Sequence, residues 1–212
     1  MSEEVLTIEY EFKLGDGRTK QFTVRLAKPS LQFIAANLAD IIEAFKDSLS
    51  IEEADITIRS ESRTYHKRSS LQYGIGSLMG LCMVTSGCPI LDKLRPMVYT
   101  HLPFSSLEET LYRAASMYLF AQYFRQQQGG TPDWKLAGFT GIYEDIATVN
   151  QSFTRRLLSI NPCDASLNAL IGLDCFASAG AFSGIEENVK EFAPLFAAYL
   201  QRGGVQASGR PI

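Results

Sequence analysis

Polar and apolar positions alternate from the start of the chain. Val5, Thr7, Glu9 and Glu11 interleave with Leu6, Ile8, Tyr10 and Phe12, the period of two expected of a strand with one buried face. Gly15-Asp16-Gly17 tolerates the positive φ of a tight turn, and residues 21–26 return, so residues 5–26 predict a β-hairpin. After Lys28-Pro29-Ser30 the period lengthens. Leu38, Ile41, Ile42 and Phe45 fall at i, i+3, i+4 and i+7, one face of a helix. Alternation returns around 54–66, where Ile56 and Ile58 sit among polar neighbours, and predicts a third strand. The order β-β-α-β implies a small antiparallel sheet with one helix against it.

The remainder reads as helical. Residues 71–84 are apolar but carry Gly74, Gly76, Ser77 and Gly80. Glycine costs roughly 1 kcal/mol against alanine inside a helix, so close approach of another backbone is expected there. Ser86-Gly87-Cys88-Pro89 breaks the chain, and Pro89 suits the first turn of a short helix to about Arg95. Residues 96–104, with Pro96 and Pro103, are expected to be irregular. Ser106 and Glu109 form an S-x-x-E capping box for a helix that runs to about Gln127. Ile142, Ile146, Val149, Phe153 and Leu157 mark another helix, and Asp164 can cap one over 165–178. A last helical pattern spans 186–200, with Pro194 inside it to kink or split it. The fold class expected is α+β: a small sheet unit over 1–70, a helical bundle over 71–202, and a disordered tail from 203.

Composition narrows the function classes. The 212 residues are 46% apolar and 20% charged, with a net charge of −3, enough to bury a sizeable core without metal or disulfide staples. No polybasic field exists, which argues against a nucleic-acid partner. Met-Ser-Glu-Glu lacks the pattern of a signal peptide. The longest apolar run, 73–84, is about a dozen residues, short of the roughly 20 that a membrane span needs. Cys82, Cys88, Cys163 and Cys175 then read as reduced thiols of a cytoplasmic protein, and the Asn150-Gln151-Ser152 sequon carries no glycan.

Motif absences remove further classes. Neither His66 nor His101 belongs to H-E-x-x-H or E-x-x-H, and no P-loop or G-x-S-x-G elbow occurs. The spacing Gly74-x-Gly76-x-x-x-Gly80 departs from a dinucleotide fingerprint and lies in no βαβ unit. Cys88-Pro89 holds the most reactive possibility. A cysteine capping a helix that starts at Pro89 would have its thiolate stabilised by free N–H groups and by Lys93 or Arg95; the bland alternative is an inert residue at a tight turn. Thr85-x-x-Cys88 matches a peroxidatic spacing without the βαβ surroundings of that fold. Cys82, Cys88 and His101, with Cys163 or Cys175, offer four zinc ligands, but C-x5-C and C-x12-H match no compact knuckle. No metal and no cofactor is therefore expected. Arg59, Arg63, His66, Lys67 and Arg68 read as a charged strand edge rather than a phosphate patch. Glu109 and Arg113 are expected to form a surface pair one helical turn apart. Asn150, Asn168 and Asp174 lie among apolar residues and need partners, for Asp174 one of Arg95, Arg113, Arg155 or Arg156; a structural network is expected rather than an active site, and they mark the best place to look for a polar cavity.

From residue 71 onward the chain resembles an uncharacterised bacterial family of unknown function. Thr85-Ser86-Gly87-Cys88-Pro89, Leu94-Arg95-Pro96-Met97, His101-Leu102-Pro103-Phe104, Glu108-Glu109-Thr110 with Tyr112-Arg113, Ser116-Met117-Tyr118-Leu119 and Ala121-Gln122-Tyr123-Phe124 carry the resemblance. It implies no reaction. Two readings of function stand: a cytoplasmic non-enzymatic module that self-associates or binds a partner, or a small-molecule-binding or thiol-dependent enzyme with a pocket around Cys88, Arg95 and His101. The aromatic residues Tyr112, Tyr118, Phe120, Tyr123 and Phe124 predict a homodimer through the helical part.

Overall fold

The structure is a computed structural model that describes residues 6–26, 31–160, 163–181 and 189–200. Strands β1 (Leu6–Leu14), β2 (Thr19–Leu26), β3 (Glu53–Ser60) and β4 (Thr64–Ser70) pair antiparallel in the order β2-β1-β3-β4. The alternation works as its period requires. Ile8, Tyr10, Phe12 and Leu14 of β1 and Ala54, Ile56 and Ile58 of β3 are buried on one face. Helix α1 (Leu31–Ala44) precedes the buried Phe45, whose ring meets Phe12 and Phe22.

The single strand expected over 54–66 is instead a hairpin. Ser60 N–H donates to Arg63 O at 2.8 Å and the chain reverses into β4. The pattern hid β4 because an edge strand with one paired side needs little apolar character. His66, Lys67 and Arg68 are exposed along it, and Arg68 pairs with Glu53 at 2.9 Å. Charge on this open edge opposes further strand pairing.

Helix α2 (Leu71–Val84) is buried on nearly every side, with ten of its fourteen residues inside. Its glycines account for this. A Cβ on Gly74 would fall 2.6 Å from Ile56 and 2.7 Å from Phe12, against the sheet. A Cβ on Gly76 would fall 3.4 Å from the Ala169 carbonyl, against helix α6 (Asp164–Ala181). The two residues lie about 200° apart around the helix, so α2 is the layer between sheet and bundle. Helix α5 (Ala137–Ile160) packs on the far side of α6.

No helix starts at Pro89. A turn leads to a 3-10 turn at Leu91–Leu94. The next stretch, expected to be irregular, contains helix α3 (Arg95–Tyr99), because Pro96 sits in its first turn where an N–H is not needed. Helix α4 (Leu107–Gln127) starts with the expected capping box: Ser106 Oγ accepts from Glu109 N–H at 3.1 Å, and Glu109 accepts from Ser106 N–H at 2.8 Å. The pattern over 186–200 is divided at Pro194, with a 3-10 turn at Ala193–Phe196 and helix α7 at Ala197–Leu200. Its first residues, and the tail from 203, lie outside the described residues. No helix among the described residues is long and apolar enough to cross a membrane.

Candidate functional site

A cavity of about 820 Å³ opens where α2, α3, α4, α5 and α6 converge, with Lys67 and Ser69 of β4 also lining it. That lies in the range of small-molecule sites, roughly 300–1,000 Å³. Its wall is mostly apolar: Leu81, Val84, Met97, Ile146 and Leu173 contribute from four different segments. Gly76 and Gly80 keep the α2 wall thin, so α6 can approach without filling the space.

One polar group is built into this wall. Tyr10 reaches it from the buried face of β1, only 1% exposed. Its hydroxyl lies 2.8 Å from Ser77 Oγ and 2.7 Å from His101 Nε2, and Ser77 Oγ is 3.5 Å from the same nitrogen. A single direction of donation runs through the three groups, from Ser77 to His101 or the reverse. Burial, and secondly the Arg113 charge, push the His101 imidazole down to about 3, so the ring is neutral near pH 7. Burial likewise raises the Tyr10 phenol well above its ordinary range. The result is a neutral, proton-bearing relay with Ser77 and His101 facing the cavity. Tyr65 Oη donates to His101 O at 3.4 Å and steadies the loop that carries the ring. Phe104, at the end of that loop, has φ 61, a conformation that L-residues adopt at a cost of roughly 1–2 kcal/mol.

Arg113 and Tyr143 supply the second polar region. Arg113 is half-buried on α4, and its Nη2 donates to Met97 O at 2.9 Å and to Thr100 O at 2.7 Å. The expected ion pair with Glu109 is not formed, because the capping box holds that carboxylate at the helix start. Tyr143 of α5 is 7% exposed, and its hydroxyl has no hydrogen-bond partner among the described residues. Burial pushes its acidity far down, with a small opposing pull from Arg113. Asn150 and Asn168 also line the cavity. Asn150 Nδ2 donates to Leu173 O at 3.3 Å, and Asn168 Nδ2 to Asp164 Oδ1 at 2.9 Å. Asp174 is met by Gln151 Nε2 at 3.4 Å and by none of the expected arginines.

Residues 31–197 match a family described as a domain of unknown function, DUF6901. The chain belongs to that family. No curated protein and no solved structure matches it. The matched range contains Ser77, His101, Arg113 and Tyr143, whereas Tyr10 comes from the hairpin before it.

Of the three residues singled out in the sequence of this DUF6901 chain, His101 lines the cavity and Cys88 and Arg95 do not. Cys88 is half-buried against the core, and its carbonyl accepts from Asp92 N–H at 2.8 Å. Arg95 turns to Asp92, with Nε 2.7 Å from Oδ1. Cys82 is buried, and desolvation pushes its thiol up to about 12. Cys163 is buried with its S–H directed at Phe45 O, 3.1 Å away. Among the described residues no three His, Cys, Asp or Glu side chains gather as metal ligands. The sequence reading missed Tyr10, Ser77, Arg113 and Tyr143. Tyr10 carried a usable signal: a tyrosine at a core position of a strand requires a partner for its hydroxyl.

Proposed function

We propose that this chain is a non-enzymatic binding protein that holds a small, predominantly apolar molecule in the cavity between α2, α4 and α6. The observation that carries the reading is a cavity of about 820 Å³ with a mostly apolar wall and a neutral Tyr10–Ser77–His101 group set into it. An apolar wall supplies affinity and a few fixed polar groups supply orientation. Chemistry on the bound molecule is disfavoured. Cys88, the nucleophile of the competing thiol-enzyme reading, lines a turn and not the cavity, and His101 is too weakly basic near pH 7 to act as a general base. Four free thiols favour the cytoplasm as its compartment, and the net charge of −3 disfavours a nucleic-acid ligand.

Gly172 provides the test. It lines the cavity, and a Cβ placed on it meets nothing within 4 Å. Gly172→Phe should fill the space without displacing backbone. Binding of the neutral fluorophore N-phenyl-1-naphthylamine should be saturable in the wild type and lost in the variant, with thermal stability kept or raised. Equal binding by both proteins would remove the cavity from consideration.

Self-association is a second reading with its own support. Phe120, Tyr123 and Phe124 of α4 are exposed and cluster together, with ring centroids 4.8–6.2 Å apart. Tyr112 and Tyr118 of the same helix are instead used within the chain, against Phe192 and Phe139. The cluster is proposed as the contact between two copies of the chain. Light scattering should return about two chain masses for the wild type and one for Phe120→Glu/Phe124→Glu. A single chain mass for the wild type at tens of micromolar would refute it.

A further inference from the structure

The balance of charge around the cavity is one-sided. Among the described residues its lining contains no Asp or Glu, and the charged side chains there are Lys67 and Arg113. Lys67 is exposed and lies over the Phe104 ring, 5.3 Å from its centroid. Arg113 is the deeper of the two. Among the described residues no carboxylate pairs with it, and only Nη2 of its three nitrogens is engaged, by the carbonyl oxygens of Met97 and Thr100 and, at 3.5 Å, by the Thr100 hydroxyl. A partly buried guanidinium with unused N–H groups on Nε and Nη1 calls for an anion, and a carboxylate oxygen can accept from either.

Tyr143 points to the same conclusion independently. Its hydroxyl is buried without a partner among the described residues, and its side chain lines the same cavity from α5. A buried hydroxyl that donates to nothing is rare in folded proteins and calls for an explanation. The two groups are also near enough to influence each other's charge.

We propose, building on the binding reading above, that Arg113 and Tyr143 form the head-group site for a carboxylate-bearing amphiphile whose hydrocarbon part fills the apolar remainder of the cavity. The guanidinium donates one charge-assisted N–H bond to the carboxylate, from Nε or Nη1, and the Tyr143 hydroxyl donates a second. The chain lies along Val98, Ile146, Leu173 and Phe176. A phosphate head is less suited, because it brings more charge and more acceptor atoms than one guanidinium and one phenol satisfy.

The test displaces N-phenyl-1-naphthylamine from the full chain with four ten-carbon compounds: decanoate, decanol, decyl phosphate and decylammonium. Decanoate should displace it at a concentration about tenfold or more below decanol, the effect of one or two charge-assisted hydrogen bonds, and decylammonium should be weakest. Tyr143→Phe removes only the unpartnered hydroxyl, so it should fold and melt at or above the wild-type temperature. It should nevertheless weaken decanoate severalfold and leave decanol unchanged; a merely structural tyrosine would move the melting temperature alone. Arg113→Gln should bring decanoate to the level of decanol. Equal affinity of decanoate and decanol would overturn the proposal, as would tighter binding of decyl phosphate or a Tyr143→Phe variant with unchanged decanoate affinity. In all three cases the cavity reading survives, provided that Gly172→Phe still abolishes probe binding. If the wild type binds no probe in the first place, the cavity reading itself falls.

Discussion

Replacing His101 by glutamine separates the neutral, half-buried histidine from every other acid-sensitive group in the chain. The glutamine amide reaches the place of Nε2, so contact with the Tyr10 hydroxyl is retained while the titrating ring is removed. In the folded protein, burial holds the imidazole down to about 3; in the unfolded chain it returns to the ordinary 6.5. Between those values the unfolded chain takes up a proton that the folded chain refuses. The histidine's contribution is therefore fully present above about pH 6.5 and lost as pH falls toward 3. At ~1.4 kcal/mol per pKa unit the whole difference corresponds to about 5 kcal/mol. The ring is only half-buried and faces an open cavity, so solvent reduces this to about 2–3 kcal/mol. Urea unfolding from about pH 7.5 down to about pH 4 measures it. Carboxylates titrate in both proteins and cancel in the comparison. Wild type should lose about 2 kcal/mol more than His101→Gln across this range, so that any advantage it has near neutrality shrinks or reverses. Parallel profiles, within about 0.5 kcal/mol at every pH, would show that the ring titrates normally, and the neutral relay would go with it.

Two further expectations test the packing. Gly74→Ala drives a methyl into the Phe12 ring and Ile56 and should cost about 1–2 kcal/mol after the helix-propensity gain; Gly80→Ala meets only the movable end of Leu173 at 3.3 Å and should be neutral or stabilising by up to about 1 kcal/mol, both read from thermal melting. Alkylation of the native protein followed by peptide mass spectrometry should label the exposed Cys175 first and spare Cys82 and Cys163, because burial keeps the Cys82 thiol protonated up to about 12; fast labelling of Cys82 would mean that α2 is not the buried central layer.

The strands and helices that pack one face on a core were legible in the sequence, since burial on one face leaves a period. β1 shows this most plainly, with Ile8, Tyr10 and Phe12 facing in. The glycines of α2 were legible as a demand for close approach, and Gly76 against Ala169 O meets that demand. Elements with no buried face left no period. β4 pairs along one edge of the sheet and exposes most of its side chains, so its residues read as a charged run. The helix expected at Pro89 failed for a different reason. A proline suits a helix start without creating one, and Pro96 fits a helix start equally well seven residues later.

Site residues were harder to read, because what marks them is an unmet need rather than a pattern. Glu109 and Arg113 stand at the spacing of an ion pair, and on sequence alone each satisfies the other. The structure gives Glu109 to the Ser106 backbone N–H, a partner that the capping box had already made available. Both assignments are correct local rules, and they compete for one carboxylate. The cap prevails because it satisfies the Ser106 backbone donor at the positive end of the helix, while a surface ion pair one turn apart contributes only about 0.2–0.5 kcal/mol. Arg113 is then left with neutral oxygens on one nitrogen and a cavity that, among the described residues, has no carboxylate in its wall. Tyr143 arrives from another helix with its hydroxyl equally unmatched. Neither vacancy is visible until the winner of the Glu109 competition is known and α5 is folded against α4's partners. A carboxylate brought in from outside is the simplest single species that satisfies both.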